Sequence, residues 1–304
     1  MRALVAEPSA PAALRLAEVP EPVPGPGQVL LDVHHASLNR GDLNDARSGR
    51  VPPGAVLGSD AAGVVARAAA GDGPPAGARV VAMAPGAFAE RSAVGVAALA
   101  PVPPEVDLAE AAALPVAGVA ALRALRAAGP VLGRWVLVTG ASGGVGRFAV
   151  QLAARAGAQV VASVGAAARA AGLAEAGADQ VVVGLDGVDR PVDVVLDNVG
   201  GPQLVAAWRL LAPGGNLQSI GWASGEPAVF PPYSTVGPRR SLVAFLNDGD
   251  AGDELATLVR LLAAGRLAVP IGWRGPLERA EQAAEALLGR RVDGKAVLDV
   301  RSRP

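Results

Sequence analysis

The chain of 304 residues contains no cysteine. This absence excludes disulfide bonds, thiolate metal ligands and cysteine nucleophiles, and it suits a reducing compartment. Aromatic residues make up only 3% of the chain, so the core must be built from alanine, valine and leucine. Side chains that donate protons are also scarce, because the chain has two histidines, one tyrosine (Tyr233) and one lysine (Lys295).

Long apolar runs and an excess of charge of either sign are lacking too. No uncharged apolar stretch approaches the roughly 18 residues of a membrane span, and the apolar run in residues 1–7 is too short for a signal peptide. The formal net charge of -1 favours neither nucleic acid nor an acidic membrane surface as a partner. We therefore expect a cytoplasmic protein that binds small molecules, with no nucleic-acid or membrane partner.

Length and patterning predict two domains. Up to residue 112, short valine-rich runs alternate with proline and glycine, as in an irregular β domain. From residue 113 onward, helical patterns alternate with buried strands, which indicates a doubly wound parallel sheet. Its strands are predicted at residues 135–139, 159–164, 180–183, 192–197, 215–220 and 241–246.

The end of the chain returns to the β domain. An amphipathic helix carries four apolar residues from Leu255 to Leu262, and after it come a helix near residues 277–288 and a last strand at 296–300. The predicted domains are residues 1–112 with 266–304, and residues 113–265. We expect a cleft between two such domains, where ligands usually bind.

The most informative segment runs from the strand at Trp135 into a glycine-rich turn and a helix that opens at Gly144. In a dinucleotide site, bulk at Gly143 would block the pyrophosphate, and Gly146 lets the helix pack tightly against the strand. Ala141 replaces the first glycine of the usual pattern, and a turn whose glycines serve packing alone is the alternative. The predicted cofactor-binding residues here are Thr139, Ala141, Ser142, Gly143, Gly144, Val145 and Gly146.

Collinear motifs extend over nearly the whole chain. They are Asn39-x-x-Asp42, Leu57–Val65 with Asp60 in place of Glu, Gly86–Glu90, Leu114–Leu122, Val136–Gly146, Asp197–Gly200 and Gly294–Leu298. In these segments the chain resembles the zinc-independent branch of the medium-chain dehydrogenase/reductase superfamily, the quinone oxidoreductase (zeta-crystallin)-like proteins. The resemblance implies an α/β fold with a GroES-like β domain and a Rossmann domain, and it leaves the substrate open.

The resemblance also implies that catalysis does not use a metal. The positions where zinc-dependent relatives carry catalytic ligands correspond to Asn39, Ser59 and Val116. A valine cannot ligate zinc, and amide or hydroxyl groups are poor ligands compared with thiolate or imidazole. We therefore expect no metal site.

The second strand of the doubly wound unit predicts which nucleotide binds. NAD sites usually have an acid there, about 20 residues after the glycine turn, but here Ser163 holds that position and the first acid is Glu175. A hydroxyl and the guanidinium of Arg169 would accept the 2′-phosphate of NADPH. Gly184 stands where the family often has a contacting tyrosine, and an ordinary surface arginine is the alternative for Arg169.

Few residues are candidates for chemistry. The resemblance implies that Asn39 and Asp42 lie at the cleft floor, with Asn39 near the nicotinamide ribose or the substrate, and that Lys295 lies close by. Simple alternatives are a helix cap for Asp42 and an exposed turn lysine for Lys295. The full set of catalytic candidates is Asn39, Asp42, Tyr233, Asp248 and Lys295. Further cofactor contacts are predicted at Asn39, Asn198, Phe245 and Lys295.

A pocket for a flat, apolar acceptor is predicted from Trp222, Tyr233 and Phe245, with a loop anchor (Tyr233) and core filling (Phe245) as alternatives. The expected function is zinc-independent, NADPH-dependent reduction of a quinone or an α,β-unsaturated carbonyl. The alternatives are an enoyl-thioester reductase of lipid or polyketide assembly and an NADPH-binding protein of low turnover. Residues 241–246 would form an exposed apolar edge strand, so a homodimer is expected.

Overall fold

The computed structural model describes residues 1–301, which form two compact units. Unit 1 comprises Met1–Val119 and the chain from Gly249 onward, and unit 2 comprises Ala120–Asp248. The strands are β1 (Arg2–Ala6), β2 (Leu14–Glu18), β3 (Gln28–Leu38), β4 (Asp60–Arg67), β5 (Arg79–Met83), β6 (Arg91–Gly95), β7 (Leu99–Pro101), β8 (Trp135–Val138), β9 (Gln159–Val164), β10 (Gln180–Val183), β11 (Val192–Asp197), β12 (Leu211–Ser219), β13 (Ser241–Ala244), β14 (Ile271–Pro276) and β15 (Lys295–Asp299). The helices are α1 (Arg40–Arg47), α2 (Leu108–Ala112), α3 (Pro115–Ala127), α4 (Gly144–Arg155), α5 (Gly201–Leu210), α6 (Gly252–Ala263) and α7 (Ala280–Leu288).

Unit 1 is built on a mainly antiparallel sheet with the strand order β14-β15-β3-β4-β5-β7, and β6 also pairs with β3. The long strand β3 is central, and most of its residues are buried. Short apolar side chains fill the core around Phe88, the largest fully buried side chain. The predicted GroES-like β domain is therefore confirmed.

Unit 2 contains a six-stranded parallel sheet with the order β10-β9-β8-β11-β12-β13. Within the unit this is the order 3-2-1-4-5-6 of a doubly wound Rossmann fold. The central strands are almost continuously apolar, because helices cover both faces of such a sheet. Successive strands are added in one direction from β8 to β10 and in the opposite direction from β11 to β13. Ligands of such folds bind at the carboxyl ends of the strands at this reversal point between β8 and β11.

The observed strands confirm the predicted parallel sheet, with the largest shifts at the start of β12 and the end of β13. Strand β12 begins at Leu211 because it pairs with β11 through an irregularity before Val194, and β13 ends at Ala244. The sequence interpretation placed α6 in the nucleotide-binding domain. Its contacts place it in unit 1, where it packs against β5 and β7. Within residues 1–301, no helix is long and apolar enough to span a membrane.

Candidate functional site

The glycine-rich turn of unit 2 leads directly from β8 into α4. Gly140 has a positive φ of 60°, and Gly143 is the N-cap of α4 in extended conformation, with no side chain capping the helix. A Cβ on Gly146 would lie 2.7 Å from Cα of Ala141 and nearer still to the carbonyl oxygen of Gly140. Glycine is therefore required at position 146 for helix and turn to meet, and the uncapped amino end of α4 is suited to an anion.

A hydrogen-bond network ties the end of β8 to the end of β11. Thr139 donates its hydroxyl proton to Asp197 Oδ1 at 2.6 Å, and the N–H of Asn198 donates to Thr139 Oγ1 at 3.0 Å. The N–H of Gly200 donates to Asp197 Oδ2 at 2.8 Å. Burial raises the pKa of the Asp197 carboxyl, and the donors from Thr139 and Gly200 oppose that rise. The network holds the two strand ends of the reversal point in register.

Asn198 presents an unused acceptor at this reversal point. Its side-chain amide donates from Nδ2 to the carbonyl of Thr139 at 2.9 Å. Its Oδ1 atom is buried, and among the described residues it has no hydrogen-bond partner. A buried carbonyl oxygen without a donor costs free energy unless a ligand supplies one. Ribose hydroxyls or a carboxamide would do so, and Asn198 therefore fits the predicted nicotinamide nucleotide.

The two residues predicted to bind the 2′-phosphate, Ser163 and Arg169, lie at the end of β9 and in the loop after it. Ser163 is fully buried, donates to the carbonyl of Gly184 at 2.7 Å and accepts from Gln203 Nε2 at 3.1 Å. The hydroxyl proton is directed at a backbone carbonyl, and the contact of Ser163 with a 2′-phosphate stays a prediction. Ser163 links β9 to the residue that follows β10 and to α5. Arg169 ends a short 3₁₀ turn in the loop after β9 and is partly exposed, and within residues 1–301 it has no acidic partner.

The aromatic residues predicted to form an acceptor pocket do not stack on one another. The ring of Tyr233 is 84% exposed, whereas Trp222 lies over Gly200 and donates from Nε1 to the carbonyl of Glu226 at 2.6 Å. Phe245 is partly buried just beyond β13, and Asp248 is exposed, with its backbone carbonyl accepting from Arg123. The long, irregular β12–β13 connection explains the difference, because its side chains do not share one face as strand residues do.

In unit 1, three sequence-distant residues meet because β3 lies between β15 and β4. Lys295 begins β15, Asp60 begins β4 and Asn39 directly follows β3. The Lys295 ammonium donates to Asn39 Oδ1 at 2.7 Å, to Asp60 Oδ2 at 3.2 Å and to the Leu38 carbonyl at 3.4 Å. The side chain of Lys295 is 3% exposed and that of Asp60 is 0% exposed. The exposed-turn alternative for Lys295 is thus wrong, and Asp60 is a site residue that the interpretation of the sequence missed.

In this Lys295–Asp60–Asn39 network, most of the side-chain polar atoms have hydrogen-bond partners. Asn39 Nδ2 donates to Asp60 Oδ2 at 2.9 Å, while the backbone N–H of Val116, at the start of α3, donates to Asp60 Oδ1 at 2.8 Å. The pattern glycine, acid, small residues in the segment Leu57–Val65 was the available signal for Asp60. Buried ion pairs are stable when hydrogen bonds satisfy their remaining atoms, as they do here.

Asp42 lies beside this network and caps α1, which is the structural role that the sequence left open, while its functional role stays a prediction. As the third residue of α1 it completes a capping box with Asn39, whose N–H donates to Asp42 Oδ2 at 3.0 Å. Its other oxygen, Oδ1, accepts from the hydroxyl of Ser59 at 2.6 Å. The pKa of Asp42 is raised to about 6, chiefly by burial and also by the charge of Asp60, while the donors Ser59 and Asn39 oppose the rise.

Zinc does not fit the residues at the metal-ligand positions of zinc-dependent relatives. The Asn39 amide is engaged by Lys295 and Asp60, Ser59 donates to Asp42, and Val116 offers an apolar side chain. In the described part of the chain, no group of three or more His, Cys, Asp or Glu side chains could hold a metal ion. Amide and hydroxyl oxygens that are already hydrogen-bonded compete poorly for zinc.

Asp42 and Ser59 also line a cavity of about 520 Å³ within unit 1. Apolar side chains form much of its wall, among them Val51, Val56 and Met83. Its ionisable lining residues are both acidic, Asp42 and Asp45. A cavity of this size and polarity suits a small, largely apolar organic molecule without negative charge.

Comparison with known proteins identifies the family. Residues 25–104 match the model of the alcohol dehydrogenase GroES-like domain, and residues 173–298 match a model described as zinc-binding dehydrogenase. Over 99% of this chain, 32% of residues are identical to a mycocerosic acid synthase-like polyketide synthase of Mycolicibacterium smegmatis. Prostaglandin reductase-3 of Bos taurus is 35% identical over 68% of this chain. The chain spans 15% of the length of the first relative and 59% of the second.

Solved structures agree with both units. The quinone oxidoreductase of Coxiella burnetii has a TM-score of 0.87 at 27% identity, covering 99% of each chain. The mycobacterial protein Rv1454c, complexed with NADPH, has a TM-score of 0.88 at 29% identity and covers 99% of this chain and 100% of its own. A probable oxidoreductase of Mycobacterium abscessus has a TM-score of 0.85 at 31% identity, covering 99% of each chain.

The two units have the GroES-like and Rossmann folds of a dehydrogenase/reductase. The chain belongs to the medium-chain dehydrogenase/reductase family, in its zinc-independent, quinone oxidoreductase-like branch.

Proposed function

We propose that the protein is an NADPH-dependent reductase of a quinone or an α,β-unsaturated carbonyl compound and works without zinc. One observation favours NADPH over NADH: β9 ends without an acidic residue, and Arg169 follows in the next loop. An acid there would repel the 2′-phosphate, whereas a guanidinium binds it. A solved relative complexed with NADPH and another described as a quinone oxidoreductase support the proposal.

In this proposal the nucleotide is held by unit 2. The amino end of α4 faces the pyrophosphate, Asn198 Oδ1 accepts a hydrogen bond from the nicotinamide half, and Arg169 binds the 2′-phosphate. When bound, NADPH supplies the hydride. Asn39 and Lys295 are committed to the buried network of unit 1, so we propose that they support the site from within and do not bind the cofactor directly.

The lining of the cavity in unit 1 favours a neutral acceptor molecule. Its apolar wall and its two acidic lining residues favour a quinone or an enone over a molecule with negative charge near its reactive end. This replaces the aromatic pocket predicted around the exposed Tyr233. The absence of cysteine and the lack of a spanning helix within residues 1–301 support the proposed cytoplasmic location.

A pair of assays distinguishes the proposed function from two other functions. Similarity to polyketide synthases favours an enoyl-thioester reductase, and the scarcity of proton donors favours a nucleotide-binding protein of low turnover. Fluorescence titration measures NADPH binding, and loss of NADPH absorbance measures turnover with a small quinone, an enone or an enoyl thioester. Rapid turnover with thioesters only would contradict the proposed acceptor class. Binding without turnover would contradict reductase function altogether.

Arg169→Ala should weaken NADPH binding and leave NADH binding unchanged. A charge-assisted contact with phosphate contributes about 1.5–3 kcal/mol, which corresponds to about a 10- to 150-fold rise in the dissociation constant. Fluorescence titration with both nucleotides provides the measurement. Arg155→Ala is the matched control, because Arg155 is an exposed arginine in the last turn of α4 and should affect neither nucleotide. Equal weakening for NADPH and NADH would remove Arg169 from this role.

We also propose that two copies of the chain pair through β13. This strand is the edge of the parallel sheet, where Leu242 is 43% exposed and Leu246 just beyond it is 73% exposed. An apolar edge of this kind is a liability in water unless another strand covers it.

Leu242→Lys should therefore convert a dimer into a monomer, as measured by light scattering at micromolar concentration. The added charge disfavours strand pairing across the edge. The matched control is Val183→Lys at the opposite edge strand, β10, where Val183 is 53% exposed. A monomeric parent protein, or a dimer that survives Leu242→Lys and is lost with Val183→Lys, would contradict pairing through β13.

A further inference from the structure

The proposed reduction needs a proton as well as a hydride, and most donors in unit 1 are already engaged. The Lys295 ammonium directs its protons at three oxygens, those of Leu38, Asn39 and Asp60. The Asn39 amide donates to Asp60. Proton transfer from Lys295 would leave Asp60 as a buried carboxylate without its cation, at a large cost in free energy.

Ser59 and Asp42 are the polar pair that remains at the cavity wall. Both residues line the cavity of about 520 Å³, and the Ser59 hydroxyl lies 2.6 Å from Asp42 Oδ1. Among the charged groups around Asp42, Asp60 raises its pKa and Lys295 lowers it. Asp45 is the other acid that lines the cavity.

The hydrogen bonds of Asp42 determine where a proton would sit. Oδ2 accepts from the backbone N–H of Asn39 at 3.0 Å, and that donor cannot be reversed. A proton on Asp42 therefore belongs on Oδ1. From there it would be donated to Ser59 Oγ, which lies 2.6 Å away. The hydroxyl proton of Ser59 must then turn away from Asp42. Since Ser59 lines the cavity, an acceptor molecule there can receive that proton.

On the basis of the proposed function, we infer that Ser59 donates the proton to the acceptor and is reprotonated by Asp42. Hydride addition delivers two electrons and one hydrogen, leaving an enolate from an enone or a hydroquinone monoanion from a quinone. The Ser59 O–H bond breaks as a C–H or O–H bond forms on that anion. The Asp42 O–H bond breaks as the serine hydroxyl is restored, and the carboxylate then takes a proton from water.

The acidity of Asp42 suits this role. Burial raises the pKa of its carboxyl to about 6, so on the order of a tenth of the molecules carry the proton at neutral pH. General acids work best when their pKa lies near the working pH.

Ser59→Ala tests the donor directly. We expect the turnover number with a quinone or an enone to fall about 100- to 10,000-fold, while NADPH fluorescence titration gives an unchanged dissociation constant. Ser59→Thr keeps a hydroxyl and should recover most of the turnover. Turnover by Ser59→Ala within threefold of the parent would overturn the inference and leave the proposed function intact. Failure of the parent protein to reduce any acceptor would overturn both.

Asp42→Asn supplies a readout that does not depend on turnover. An acid whose pKa is higher in the folded protein than its ordinary value of 3.8 makes the protein less stable as pH rises from about 4 to about 6. The urea midpoint of the parent should therefore fall relative to Asp42→Asn across that interval. In the variant, the amide can accept from Asn39 and donate to Ser59, so folding is preserved. Parallel pH profiles of the two midpoints would overturn the assignment of Asp42 as the proton reservoir.

Discussion

Replacement of Gly146 by alanine will weaken nucleotide binding at least 100-fold and lower the free energy of unfolding. The added Cβ would lie 2.7 Å from Cα of Ala141 and closer still to the carbonyl oxygen of Gly140. Both neighbours are backbone atoms of the turn, which cannot rotate away as the tip of a long side chain can. Helix α4 or the turn must therefore shift, and overpacking of this kind costs about 1–3 kcal/mol.

The effect on binding should exceed the effect on stability. An amino end of α4 displaced by even a fraction of an ångström no longer aims its N–H groups at the pyrophosphate. We expect at least a 100-fold weaker NADPH complex by fluorescence titration, alongside a lower urea midpoint. Gly41→Ala is the matched control, because Gly41 also lies in the first turn of a helix and a Cβ there would meet no atom within 4 Å. Normal NADPH binding by Gly146→Ala would contradict the dinucleotide site.

Unit 2 could be predicted from the sequence because its signals are local. Strands such as β8 and β11 are short apolar runs bounded by turn residues, and a parallel sheet buried on both faces requires that pattern. The glycine turn could be placed for the same reason, since strand, turn and helix follow one another directly. The contacts of Ser163 with Gly184 and Gln203 could not be predicted, because they depend on how β9, the residue after β10 and α5 meet.

The network of unit 1 could not be predicted because it is made by residues far apart in the chain. The Lys295 ammonium contacts Asn39 across 256 positions and Asp60 across 235. Only the strand order β15-β3-β4 brings them together, and strand order in a mixed β domain does not follow from periodicity. A lysine after a glycine is, by itself, typical of an exposed turn. Family resemblance indicated the neighbourhood of Lys295 but not its burial or its partners.

Lys295→Met should cost the protein about 3–5 kcal/mol of unfolding free energy, because a buried charge then loses its partner. Asp60 is 0% exposed and would keep the donors from Asn39 and Val116, but no cation would contact it. Urea denaturation followed by circular dichroism measures the loss. Exposed ion pairs contribute little, so Arg15→Met, which removes the 3.7 Å pair with Glu7, should leave the midpoint unchanged.

A double-mutant cycle distinguishes a buried ion pair from simple loss of packing. Lys295→Met combined with Asp60→Asn removes both charges. The double variant should therefore lose less unfolding free energy than the sum of the losses in the two single variants. We expect a coupling energy of about 2–3 kcal/mol, since contacting residues in one network rarely act additively. Additive losses within about 0.5 kcal/mol would mean that Lys295 stabilises unit 1 through its aliphatic stem alone. Strong coupling would identify Lys295 as the fixed internal cation that holds Asn39 and Asp60 beside the proposed proton donor.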